Sequence, residues 1–430
     1  MTLGCKVNQV ETEMMISLFL EKGYEIVDFT EIADVYVINT CSVTSVSEQK
    51  SRKIIRRAKK TNEKAAVIVV GCYAQVAPDE IAEIPDVSVI IGSKDKSRIV
   101  ELAEAALNGE KINAVQGQIP REFEDMSLIY PPKRTRAFLK IEDGCENFCS
   151  YCIIPYARGP VRSRSLESVK REAVNLSEKG FLEIVLTGTH IGMYGKDLGG
   201  VTLFDAAKTV LENTNIERLR LSSLESVELS EDLINFAKDN SRFAKHFHLP
   251  LQSGSNSILK AMNRHYKAED FEKLTTKIIE NIPEASISTD IIVGFPGETD
   301  ELFEETATFI KKLPLSRIHV FPYSKRPGTV AASMDNQVSE TEKKRRVGVM
   351  QDIGKIKSRE FMGKFMGKSA AVLFETETNG VTDGLTSNYI RVYTKDKVET
   401  GKIYDCIIED FYRDGVMGRV AKKIVYKNDL

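Results

Sequence analysis

GCENFCSYC, residues Gly144 to Cys152, decides the reading of this chain. Cys145, Cys149 and Cys152 are separated by three residues and then by two. Cubane iron–sulfur clusters are usually held by four thiolates. A loop with three cysteines either finds a distant fourth ligand or leaves one iron open to a small molecule. An open iron is a site for chemistry, whereas a closed cluster is more often an electron carrier. A zinc site would want a fourth Cys or His close by. The next histidine, His190, is 38 residues beyond Cys152.

On both sides of this loop short β-branched runs alternate with amphipathic stretches, the rhythm of parallel sheets with helices on their faces. Upstream, VYVINT (Val35–Thr40), AVIVVGC (Ala66–Cys72) and VSVII (Val87–Ile91) read as strands. Helical stretches at Ser47–Lys60, Asp79–Glu83 and Lys94–Leu107 follow them. Around and beyond the loop, FLKIED, EIVLTG, RLRLSS, HFHLPL, SISTDIIVG and RIHVFPY give six further strands, enough for a partial barrel of the (β/α) type. A charged helix near Ser339–Met362 closes that region. From Gly363 the pattern changes to alternating apolar and polar residues with Asn-Gly turns, which predicts a small antiparallel barrel of about five strands. The fold class is therefore α/β. It has a parallel-sheet domain over residues 1–110, a linker over 111–134 containing Pro131, Pro132 and Lys133, a barrel over 135–362, and a β-barrel over 363–430.

Cys5, Cys41 and Cys72 lie 36 and 31 residues apart. Two of them directly follow predicted strands, and in a parallel sheet all carboxyl ends share one edge, where ligand sites form. Cys5, in TLGCKVN, reads as a strand end entering a turn. The three thiols can thus meet without a local motif, although cysteine is also commonly a core residue. Only Met1 and Thr2 precede Leu3, so the strand carrying Cys5 is short or absent; either further residues lie upstream or Cys5 is held less rigidly than its partners.

Composition narrows the class. Hydrophobic residues make up 42% of the 430, which excludes a disordered chain. A net charge of −2 leaves any nucleic-acid contact to local patches. Seven clustered cysteines do not form a secreted disulfide framework, so metal binding is the expected use. No apolar run is long enough to span a membrane, and MTLGCKVNQVETE lacks signal-peptide character. A reducing cytoplasm fits. GFPGET lacks the Lys-Ser/Thr ending of a phosphate-binding loop, and Cys406 in IYDCIIED reads as core.

The loop resembles that of the radical S-adenosylmethionine enzymes, with Tyr151 in the aromatic place before the last cysteine. TLGCKVNQVET, NTCSVT, GCYAQ, GCENFCSYCIIPYARG, HLPLQSGSNSILKAMNR and TDIIVGFPGET narrow the resemblance to the methylthiotransferases, along the whole chain. That family implies a flavodoxin-like N-terminal domain, a radical barrel and a C-terminal RNA-binding TRAM domain. It implies two four-iron, four-sulfur clusters, one on Cys145, Cys149 and Cys152, the other on Cys5, Cys41 and Cys72. LGCKVNQ with NTCSVT is most similar to the branch acting on N6-threonylcarbamoyladenosine at position 37 of tRNA. The isopentenyladenosine branch tends to FGCQMN, and the branch acting on a ribosomal-protein aspartate to LGCPKN.

By this resemblance one S-adenosylmethionine methylates sulfur at the second cluster, and a radical from another activates C2 of the adenine. Polar residues at barrel strand ends are the expected contacts to S-adenosylmethionine. Beside Tyr151 these are Thr187, Gly188, Ser223, Glu225, Gln252, Ser253, Asp290 and Gly294. No histidine is assigned a proton-transfer role. For the tRNA anticodon loop, Arg56 and Arg57 on a basic helix and Arg158, Arg162 and Arg164 after the cluster loop are the candidates. Tyr389, Tyr393, Tyr404 and Tyr412 are candidate stacking faces in the last barrel. The resemblance also implies a monomer and an electron donor such as a flavodoxin or ferredoxin. The sulfur donor has no signature in the residues. The competing readings are an isopentenyladenosine or ribosomal-protein acceptor and, from another class, a non-catalytic iron–sulfur RNA-binding regulator.

Overall fold

The computed structural model describes residues 1–42, 45–130 and 134–424. Val43 and Thr44 of NTCSVT, Pro131, Pro132 and Lys133 of the expected linker, and residues 425–430 lie outside them.

The first domain is a parallel sheet in the order Val35–Thr40, Ala66–Gly71, Val89–Ile91, Ile112–Asn113. Ala66–Gly71 is buried at every residue, because helices cover both faces; hence its unbroken apolar run. Val67 and Val69 pack with Ile55 and Tyr73 on one face, and Ile68 and Val70 with Ile99 and Leu102 on the other. One expectation changes, and another, the short strand before Cys5, holds. The strand Ile112–Asn113 pairs with Val89–Ile91, so the sheet runs past residue 110. Cys5 does not end a full strand. Thr2 makes a single parallel bridge to Asn39, and the helix Lys6–Glu21 begins immediately after Cys5.

Six parallel strands build the second domain, in two three-stranded sheets. They are Arg136–Lys140, Glu183–Thr187 and Arg218–Leu221, then His246–His248, Ser286–Val293 and Arg317–Pro322. A parallel bridge from Leu219 to Phe243 joins the two. Alternation along the strands divides the side chains. Leu139, Ile184, Leu186, Leu219, Phe247 and Ile287 face the helices and form one large core with residues such as Val169, Val210, Phe271 and Phe303. The opposite face carries Arg136, Glu183, Arg220, His248, Asp290 and His319, so the barrel encloses a polar interior instead of a packed one. Ser165, Thr202, Ser230, Thr299 and Ser339 cap the helices that follow, each accepting an N–H three residues on.

After the helix Glu340–Gly363, five strands close a barrel in the order Ser369–Thr378, Val381–Thr386, Arg391–Thr394, Gly415–Lys423, Ile403–Tyr412. Asn379 and Gly380, both at positive φ, make the first hairpin turn. One pairing, Arg391–Thr394 with Gly415–Lys423, is parallel, so the barrel is not wholly antiparallel. Cys406 is in its core, as expected. The barrel docks on the amino ends of the six strands. Arg218 donates to the carbonyls of Leu385 and Ala371, Arg220 to those of Thr386 and Ser387, and Arg136 pairs with Glu375. No helix among the described residues is long and apolar enough to cross a membrane.

Candidate active site between two cysteine triads

Strand register assembles the N-terminal triad. Thr40 and Gly71 are partners in the parallel ladder, so the next residues, Cys41 and Cys72, leave the sheet side by side at its carboxyl edge. Gly71 has φ 98°, and a Cβ there would lie 2.5 Å from Asn39 Oδ1. Gly4 has φ 101°, and a Cβ there would lie 2.7 Å from Cys41 Cβ. Glycine thus allows the segment carrying Cys5 to ride directly over Cys41. Buried Asn8 fastens the arrangement by donating to the carbonyls of Leu3 (2.8 Å) and Thr40 (2.9 Å). Cys41 and Cys72 are buried, and Cys5 is exposed.

The second triad sits beyond the carboxyl end of Arg136–Lys140. Gly144 has φ 92°, and any side chain there would strike the Pro160 carbonyl. The loop is tied down by Ser150, whose N–H donates to Met262 O and whose hydroxyl donates to Ala261 O, and by Asn263, which donates to the Phe148 carbonyl. Each sulfur has a polar neighbour. Arg264 Nη1 lies 3.1 Å from Cys149 Sγ, the Ile154 N–H points at Cys152 Sγ (3.4 Å), and His190 Nδ1 is 3.5 Å from Cys145 Sγ. His190 Nε2 is in turn 2.8 Å from Glu228. Tyr151 packs against the apolar cluster of Met262, Phe295 and Tyr323 and braces the loop from behind.

Burial pushes the Cys152 thiol up to about 12 and, despite Arg158, the Cys72 thiol up to about 11. Bare protein therefore keeps these thiols protonated. The positive charge of bound iron reverses that preference, and N–H groups aimed at sulfur suit a cluster's thiolates. Both donor sets fit an iron–sulfur cluster with three protein ligands.

A short helix, Ile154–Arg158, joins the two triads. It begins two residues after Cys152 and ends at Arg158, whose Nε lies 3.2 Å from Cys72 Sγ. The same guanidinium holds Glu11 (2.5 Å), Asn8 Oδ1 (2.6 Å) and Asp143 (3.3 Å). Lys140 bonds Glu11 and Asp143 as well, and Lys96 approaches Glu11 at 3.5 Å. The surrounding cations outweigh burial and hold the Glu11 carboxyl at about 2. This buried network spans the two domains.

It also corrects the RNA assignment of three arginines. Arg158, Arg162 and Arg164 are 1–2% exposed. Arg162 donates to the Arg158 and Pro160 carbonyls and faces Asp143, while Arg164 holds Asp125, Ser168 and the Met126 carbonyl. Buried guanidinium groups need fixed partners, and these have them inside the protein. Arg56 and Arg57 are exposed. Among the tyrosines, Tyr393 and Tyr404 are buried, Tyr412 is half-buried, and Tyr389 is wedged between Arg220 and His246 at the domain junction.

The strand-end residues meet different surroundings. Glu225 pairs with Arg264 at 2.7 Å, Asp290 with His248 at 3.2 Å, and Ser223 is exposed. Gln252, at φ 72°, bonds through its backbone to Asp290 and Ile292. Gly188 and Gly294 are close-approach positions, a Cβ on the first lying 2.6 Å from Glu142 Oε2 and one on the second striking Lys343. Thr187 is buried, with its hydroxyl on its own strand at Val185 O. Ser253 turns away from the interior; its buried hydroxyl meets Thr306 on an outer helix. Sequence reasoning missed Arg264, His190 and Glu142. Arg264 closes the HLPLQSGSNSILKAMNR stretch, whose length beyond the strand end was the available signal.

Comparison with known proteins agrees with this architecture. Residues 1–92 match the family model described as uncharacterized protein family UPF0004, and residues 139–310 match the radical SAM superfamily. A threonylcarbamoyladenosine tRNA methylthiotransferase MtaB from Aquifex aeolicus is 42% identical, over 95% of this chain and 98% of its own. The protein of that name from Bacillus subtilis is also 42% identical, over 92% of this chain and 89% of its own. A tRNA-2-methylthio-N(6)-dimethylallyladenosine synthase from Acetivibrio thermocellus is 34% identical, over 96% and 85%. Among solved structures, the radical S-adenosylmethionine methyltransferase TsrM from Kitasatospora setae shares the fold, with a TM-score of 0.57 at 13% identity over 75% of this chain and 71% of that one. The fold and the open cysteine loop define a radical S-adenosylmethionine enzyme. With its second cysteine triad, the chain belongs to the methylthiotransferase family within that class. It uses S-adenosylmethionine and two iron–sulfur clusters.

Proposed function

We propose that this enzyme adds a methylthio group to C2 of N6-threonylcarbamoyladenosine at position 37 of tRNA. The observation that carries the reading is the Arg158 link, which ties the helix following one cysteine triad to a sulfur of the other. The near full-length similarity to relatives named for that nucleoside supports the substrate.

Cys145, Cys149 and Cys152 hold the radical cluster, and Cys5, Cys41 and Cys72 the second. When bound, the first cluster with S-adenosylmethionine would supply a carbon-centred radical, and the second would supply or carry sulfur. The chain's own residues prepare the site. Arg264 places a cation against Cys149 and is itself anchored by Glu225, so that one guanidinium orients a ligand and a strand-end carboxylate. Glu225, Asp290 and Gly188 are the residues assigned to S-adenosylmethionine, Glu225 beside Arg264 and Asp290 beside His248. Arg56 and Arg57 contact RNA phosphates. Phe148 and Tyr156, each 51% exposed with ring centres 5.9 Å apart beside the cluster loop, offer faces for bases next to the target. The enzyme works as a monomer in the cytoplasm and draws electrons from a flavodoxin or ferredoxin.

The test is nucleoside mass spectrometry of tRNA from a deletion strain. The methylthio form of threonylcarbamoyladenosine should vanish while its unthiolated precursor accumulates, and plasmid-borne enzyme should restore it. An unchanged nucleoside profile would sink the proposal.

A further inference from the structure

The interior of the six-stranded barrel carries more positive than negative charge. Arg136, Arg218 and Arg220 share Glu183, and Arg136 also pairs with Glu375. His246, His248 and His319 line the adjoining strands, with Asp290 as the acidic partner of His248. The first turn of the N-terminal helix inserts Lys6 here. Its ammonium lies 5.9 Å from the centre of the Phe138 ring, in the field of Tyr389, Arg136, Arg220 and Glu183. Among the described residues Lys6 forms no direct ion pair; its ammonium faces that ring, and Glu183 acts on it without a salt bridge.

Two neighbours report the resulting field. Burial alone would raise the Tyr389 phenol, yet Arg136, Lys6 and Arg220 outweigh it and hold the phenol below its ordinary value. His246 is held well below its ordinary value by burial, then by Arg220, His248 and Lys6. A half-buried cation with no direct ion pair, beside a carboxylate already shared by three arginines, favours an arriving anion. Lys6 adjoins Cys5, so this anion-seeking group borders the second triad.

The nucleoside assigned above carries on N6 a substituent ending in a carboxylate; a dimethylallyl group ends in hydrocarbon. We infer that Lys6, within this cationic basin, receives the substituent's carboxylate and thereby selects threonylcarbamoyladenosine over adenosines with uncharged substituents. The inference rests on the substrate reading given under the proposed function. It names a specificity residue for that reaction, with Arg220 and Arg136 as the field around it.

The test compares anticodon stem-loop RNAs bearing threonylcarbamoyladenosine as the free carboxylate, as its methyl ester, or replaced by dimethylallyladenosine. The reconstituted enzyme should favour carboxylate over ester by about ten- to hundredfold in kcat/KM, the size of one charge-assisted contact. Lys6→Gln should bring that ratio close to one, and Lys6→Arg should keep most of it. Equilibrium binding of the same RNAs to unreduced holoenzyme should follow the same order. A wild-type ratio near one, or a Lys6→Gln loss shared equally by acid and ester, overturns the inference. Should Lys6→Gln fail to load iron, the wild-type ratio and Lys6→Arg decide, and loss of the ratio in Lys6→Arg counts against it. Turnover of the dimethylallyl RNA alone would overturn the substrate reading itself; equal turnover of acid and ester overturns only the role of Lys6.

Discussion

Arg158 Nε stands 3.2 Å from Cys72 Sγ, although the two residues belong to different domains and are 86 positions apart. Arg158 lies six residues beyond Cys152. One rigid turn of helix therefore sets the position of each triad relative to the other. Glu11, Asn8 and Asp143 hold the guanidinium in place, so the domain junction and the site share the same side chains.

Removing this strut is predicted to be expensive. Arg158→Met leaves Glu11 and Asp143 buried against fewer cations, a loss of about 3–5 kcal/mol for a broken buried pair. Anaerobic denaturant unfolding of the loaded protein measures it. A change below about 1 kcal/mol would show that the network is not coupled to folding.

Burial also separates the arginines in their response to salt. Arg56→Gln and Arg57→Gln should each lower the salt dependence of tRNA binding by about one counterion, since each removes a proposed phosphate contact. Arg162→Lys and Arg164→Lys should leave that slope alone. Binding isotherms across a salt series distinguish the groups, and a slope change only in the buried pair would reverse the assignment.

The two triads should fail differently. Cys149→Ala is predicted to abolish 5′-deoxyadenosine formation from S-adenosylmethionine. Cys41→Ala should keep that product while losing methylthiolation of RNA. Chromatography of both products from one anaerobic reaction decides it; thiolation surviving in Cys41→Ala would refute the second triad's role.

Glu142 gives a pH signature. Burial raises its carboxyl from 4.5 to about 8, with Asp143 adding to the rise and the His190 N–H opposing it. Among the described residues its Oε1 has no hydrogen-bond partner, which makes the charged form costly. A folded pKa above the unfolded one means stability that is fully present below about pH 4.5 and lost as pH climbs to about 8. The loss is on the order of a few kcal/mol. Melting midpoints of wild type should therefore fall between pH 5 and pH 8 relative to Glu142→Gln; parallel curves for the two would contradict this.

Local chemistry is legible in the residues alone. The Cys145 loop carries its spacing within nine residues, and each of the nine barrel and sheet strands expected from β-branched runs is present, with small shifts at the ends. The helix Lys6–Glu21 was not legible. It is buried on two sides, Met15 and Phe19 against the sheet and Val10 and Met14 against the barrel, so no single apolar stripe marks it. The strand Val381–Thr386 escaped for a related reason: VTDGLT is too polar and glycine-containing to read as a strand until its neighbours close the barrel.

Sequence by itself determined the ligand loop, the order of strands and helices, and the placement of two cysteines at strand ends, because each depends on neighbours along the chain. Tertiary structure decided that three arginines beside the loop are buried struts, that Lys6 enters the barrel, and that Arg158, after one triad, meets Cys72 of the other. Those outcomes depend on which charges lose water and which partners meet them, and both are set by segments far apart in the chain.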